Sequence, residues 1–211
     1  MKKILLLMVA MLLLASGSAF AVISGSAHDL TVSAALGDPI SSCQYCHTPH
    51  HALTDAPLWN RNNPDPAGFT VYGAAIAGAL GVTISGTDVN APGGHSLTCL
   101  SCHDGVTEYG DLVMGGEANV LLVMDAASTN MLGTDLNGTH PIGVAWNVGN
   151  DAGLAAAVPA PYRTYATGGE ERVECGSCHD PHADDRTVGG ANSPFLRGDK
   201  STMCSDCHDA K

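Results

Sequence analysis

The 211-residue sequence sets nine Lys and Arg against 21 Asp and Glu, a net charge of −12 with histidine neutral. That balance excludes nucleic acid and anionic lipid as partners, because both need a basic surface. With 25 glycines and 11 prolines but only two Trp and three Phe, the chain is also poorly supplied for an apolar core of its own.

In chain order, the first expected element is a secretory signal peptide over residues 1–21. Lys2 and Lys3 form its basic start, the apolar run 4–15 follows, and Ala19-Phe20-Ala21 is an A-x-A cleavage site. The apolar run is too short to span a bilayer. The first cysteine, Cys43, lies well past the cut, so no lipid attaches at a new N-terminus. Residues 22–211 are expected to form one exported domain with a charge of about −14 once Lys2 and Lys3 are gone. No later apolar run is long enough for membrane insertion.

A short arm, 22–42, contains His28 in "GSAHDL" and leads into "CQYCHTPHH" at 43–51. The link 52–98 passes "PLWNRNNPDPAGFTVYG" and then "AAIAGALGV", which reads equally as a helix or a pair of short strands. Within the second link, 104–174, "ANVLLVMDAA" reads as one buried strand or a helix. Short helices are expected at or just before each cysteine motif, with turns elsewhere.

All eight cysteines fall in four copies of Cys-x-x-Cys-His: Cys43, Cys46 and His47; Cys99, Cys102 and His103; Cys175, Cys178 and His179; Cys204, Cys207 and His208. Two thiols at this spacing add across the vinyl groups of one haem, and the histidine after them sits beneath the iron as proximal ligand. Zinc sites or disulfides would also use eight thiols, but neither needs a histidine after every second cysteine. The sequence therefore predicts four covalent haem c groups. Their flat apolar discs supply the missing core. The expected fold is a multihaem cytochrome c, mostly coil and turn with short helices.

Ten histidines less four proximal ones leave His28, His50, His51, His95, His140 and His182 for four distal positions. An iron with two imidazoles is closed to substrate, whereas an enzyme site needs an open position. The supply thus favours electron transfer over catalysis. Met114, Met124, Met131 and Met203 are read as packing residues. His50 cannot serve the iron of His47. Trans imidazoles place their Cα atoms about 12 Å apart, and three extended residues reach about 10–11 Å at most. Thr48 precedes Pro49 and is biased to extended backbone, which carries His50 away from its own haem. The same holds for His179 and His182 around Pro181. His28, His50, His140 and His182 are the expected distal ligands, with His51 and His95 to spare.

The stretches "GSAHDL", "CQYCHTPHHA", "PLWN", "CLSCHDG", "THPIGV", "CGSCHDPH" and "CSDCH", taken in order, cover nearly the whole chain beyond residue 21. Together they resemble the exported multihaem c-type cytochromes of metal-reducing bacteria. The match is best to the tetrahaem outer-membrane cytochrome E type, which polymerises into extracellular filaments. The resemblance implies bis-histidine ligation of four stacked haems and one axial histidine donated by a neighbouring subunit. That donor maps to His50, with His28 as second choice. It further implies electron delivery to other redox proteins or extracellular metal oxides. Polymerisation rests on the resemblance alone. A monomeric periplasmic shuttle, or a multihaem reductase with one open iron, would use the same four motifs.

Overall fold

A computed structural model describes residues 23–32, 41–54, 56–72, 83–84, 87–115, 122–183 and 195–208. The signal-peptide segment 1–21 and the whole of "AAIAGALGV" lie outside these residues. Among the described residues, no helix is long and apolar enough to cross a membrane.

Regular structure gathers at the cysteine motifs. The first follows Ser41 in a 3₁₀ helix, Ser42–Tyr45. The second closes helix α1, Gly94–His103. The third is the single turn α2, Cys175–Cys178, and the fourth is α3, Met203–Cys207. Helix α1 is the longest of them because "HSLTCLSCH" has no breaker inside it. It stops where Gly105 takes φ +68°, a left-handed conformation that suits glycine just past a helix end.

Leu97 and Leu100, three residues apart and hence on one face of α1, pack with Phe69, Leu136 and Ile142. This is a small apolar cluster. Residues 69–71 reach it by pairing with 134–136, Thr70 donating to Thr134 and Leu136 donating to Thr70.

The strands are short. Strand β1, Thr83–Ile84, pairs antiparallel with β2, Thr87–Asp88. Strand β5, Glu170–Val173, lies between β3, Val144–Ala145, and β4, Tyr165–Thr167, antiparallel to both. Gly168 and Gly169 form the two-residue turn from β4 to β5 with φ +62° and +85°, and such turns require positive φ at both positions. The sheet delivers the chain from Val173 through Glu174 straight into the third motif.

One expectation needs correction. Of "ANVLLVMDAA", residues 122–127 are described, and they form neither a strand nor a helix. Leu122 and Val123 are 40% and 39% exposed rather than buried. Among the described residues, one backbone bond, Tyr109 N–H to Leu122 O at 2.7 Å, ties this stretch to a neighbour. With no ladder to hold it, an apolar run does not become a buried strand.

Candidate functional site: paired histidines around four cysteine motifs

The four motifs are held by hydrogen bonds that cross long stretches of chain. Asn60, fully buried, donates its backbone N–H to Cys46 O and its side-chain amide to Gln44 O and Met114 O. Its own amide oxygen accepts from Met114 N–H. Beside it, Arg61 reaches the second motif, donating Nε to Ser101 Oγ at 3.0 Å and Nη2 to Ser101 O at 2.8 Å.

Glu174 joins the second motif to the third. Its carboxylate accepts the Gly93 N–H at the start of α1 and the Ser96 hydroxyl, while Ser96 Oγ accepts from Cys175 N–H. Burial pushes the Glu174 carboxyl up, and these donors oppose the shift. A side chain at Gly93 would put its Cβ 2.5 Å from Glu174 Oε1, so only glycine allows this approach. The joint brings Cys99 and Cys175 into hydrogen-bonding contact. That contact, followed by burial, pushes the Cys99 thiol up. Burial likewise pushes Cys46 up to about 12 and raises Cys102 and Cys178. At the fourth motif, Ala155 N–H donates to Cys207 O and Tyr162 OH to Asp206.

Around this frame three motif histidines each face a histidine from another part of the chain. His47 and His182 lie 5.9 Å apart, ring centre to ring centre, with their planes 18° apart. His103 and His28 are 6.2 Å apart at 90°, and His208 and His140 are 6.4 Å apart at 51°. A metal–imidazole bond of about 2.0–2.1 Å on each side, with about 1.1 Å from nitrogen to ring centre, puts two trans imidazoles about 6.3 Å apart. Each ring contains the ligand–metal axis, so the interplanar angle is free to vary. The spacing of all three pairs therefore fits one iron between two imidazoles.

Three of these rings have their tautomer fixed by a backbone carbonyl. His47 Nδ1 lies 2.8 Å from Pro57 O, His103 Nδ1 2.8 Å from Asn130 O, and His140 Nδ1 3.0 Å from Pro141 O. A carbonyl only accepts, so each ring carries its proton on Nδ1 and leaves the Nε2 lone pair for a metal. His182 Nδ1 faces Asp180 Oδ1 at 3.6 Å, an ion-pair distance. His28 is placed by its surroundings. Phe195 stacks on its ring at 4.4 Å, and Asp29 ties the arm by accepting from the Gly25 and Thr31 N–H groups.

The remaining candidates are arranged differently. His50 and His51 are both exposed and meet each other, Nδ1 to Nδ1 at 3.1 Å, with His51 at φ +59°. His95 stacks on Tyr165 with ring centres 3.6 Å apart, and its Nε2 would lie 2.3 Å from a Cβ at Gly176. Burial, then Arg197 and Arg163, lower the His95 pKa to about 4. His95 thus packs against the turn of the third motif as a neutral ring. His179 follows that turn and bridges to Leu196 through the backbone. Among the described residues, no group of three or more His, Cys, Asp or Glu side chains is placed to hold a metal ion.

No protein-family model matches the chain, and no curated protein matches it.

Sequence reasoning passed over Asn60, Arg61 and Glu174. All three are ordinary polar letters in "LWNRNN" and "RVECG". Only tertiary contacts distinguish them from surface residues.

Proposed function

We propose that this protein is an electron carrier holding four covalent c-type haems, each iron closed by two histidines. The observation that carries the reading is the set of three facing histidine pairs, each containing one motif histidine and spaced for a single iron. The small apolar cluster also supports it, since four haems would supply the core that the side chains lack. Bound haem supplies a reversible one-electron couple. The chain's own residues attach it through eight thiols, fix the Nδ1–H tautomer of its ligands and bring the second and third motifs together through Glu174.

We further propose that the carrier works as a subunit of an extracellular filament, with His50 as the ligand offered to a neighbouring copy. That His28 faces His103 inside its own chain supports His50 over His28 for this role. His50 is exposed and turned to His51, accessible to a second subunit.

The test is the intact mass and pyridine haemochrome spectrum of exported protein. Four haem additions with a low-spin spectrum that ignores carbon monoxide are expected. Disulfides or zinc on the thiols would overturn the reading, and a large carbon monoxide shift would point to an open reductase iron.

A further inference from the structure

Arg61 is one of the few cations in this acidic chain, yet it is 1% exposed. Its fork makes four hydrogen bonds: Nε to Ser101 Oγ, Nη2 to Ser101 O and to Glu108 O at 2.7 Å, and Nη1 to Tyr109 O at 2.8 Å. Every one of these acceptors is uncharged. They take up four of its five N–H groups but leave the positive charge in place, with no ion pair to it among the described residues, and a desolvated charge acts strongly on its surroundings.

The position of that charge is specific. Ser101 lies inside the second motif, next to Cys102, while Asn60, the residue before Arg61, bonds Cys46 O in the first. The guanidinium thus sits at the junction of two attachment sites. Asp104, just past α1, accepts from the Val106 and Thr107 N–H groups.

The third motif is built with the opposite balance. Arg197 also donates to a motif carbonyl, Gly176 O at 2.7 Å, but its fork is neutralised by Asp180 at 2.9 Å. Glu174, 1% exposed, adds a buried carboxylate immediately before Cys175. The fourth motif has Asp206 inside it, bonded to Tyr162.

We propose that Arg61 sets the order in which the haems fill, raising the reduction potential of those on the first two motifs above those on the last two. Oxidised haem carries one more positive charge than reduced haem, so a nearby buried cation disfavours the oxidised form. Buried carboxylates do the reverse. Electrons then collect at the haems of the first two motifs. This inference rests on the electron-carrier reading.

The experiment is a potentiometric titration of the visible spectrum of the fully loaded protein, comparing Arg61→Gln with Arg61→Lys. Both variants lose the guanidinium fork, but only Gln loses the charge. Arg61→Gln should shift the upper half of the titration to lower potential, and Arg61→Lys should stay close to the parent. Equal shifts in both variants, or none in Arg61→Gln, would overturn the proposal. Should either variant fail to mature, NMR of the parent protein decides: the haems on His47 and His103 must be reduced before those on His179 and His208. The reverse order sinks the role of Arg61. Absence of covalent haem from the parent sinks the carrier reading itself.

Discussion

Residues 43–50 and 175–182 share the spelling Cys-x-x-Cys-His-x-Pro-His, and the two copies are used differently. His182, which ends the second copy, lies 5.9 Å from His47 of the first, ring centre to ring centre. His50, which ends the first copy, turns onto His51 with both rings exposed. Identical local stereochemistry directs both histidines away from the histidine that closes their own motif, because proline biases the preceding residue toward extended backbone. What lies in that direction then decides their fate. Asp180 is anchored by Arg197 and by the Phe195 carbonyl, and His182, itself half exposed, lies toward His47. His50 follows Thr48, whose hydroxyl donates to His50 O, and then a left-handed His51 turns the loop away.

The strongest way to break this contrast is to remove each histidine in turn. His50→Ala is expected to abolish long filaments while four haems stay attached, checked by electron microscopy and sedimentation. Normal fibres from that variant would show that the exposed copy has no intersubunit role. His182→Ala should instead act inside the subunit, converting about one haem in four to a high-spin form that binds carbon monoxide. An unchanged spectrum there would remove the functional meaning of the His47–His182 pair.

A smaller effect sharpens the second copy. Glu174→Ala strands the Gly93 N–H and the Ser96 hydroxyl at the joint between α1 and α2. Leaving buried partners of a charged group unsatisfied costs about 3 kcal/mol, measurable as a lower denaturation midpoint with haem content unchanged. Asp29→Ala should cost less, because its carboxylate bonds only within its own arm, to the Gly25 and Thr31 N–H groups.

The smallest effect is in pH. His95 has its pKa lowered to about 4 by burial and the charges of Arg197 and Arg163. Between the ordinary histidine value of about 6.5 and that lowered value, the unfolded chain binds the extra proton. The folded state is therefore expected to lose stability as pH falls through this window. His95→Phe should flatten that part of the thermal-stability profile, and an unaltered slope would place the sensitivity elsewhere.

Several features could be read from the letters alone. Each Cys-x-x-Cys-His motif lies within five residues, so its chemistry is a local property of the chain. The exclusion of His50 from its own iron is equally local, following from chain reach and from Pro49. The positions of short helices at the motifs needed no long-range information either. By contrast, "ANVLLVMDAA" was misjudged because an apolar run becomes a strand only where a partner ladder meets it.

The sequence by itself therefore determined how many Cys-x-x-Cys-His motifs the chain carries and that six further histidines accompany them. The tertiary structure decided which histidines meet, pairing His47 with His182, His103 with His28 and His208 with His140. It also decided where charge is buried, placing Arg61 between the first and second motifs and Glu174 between the second and third. The physical reason is distance along the chain. Covalent spacing is fixed within a few residues, whereas pairing and desolvation depend on which remote segments the fold brings together.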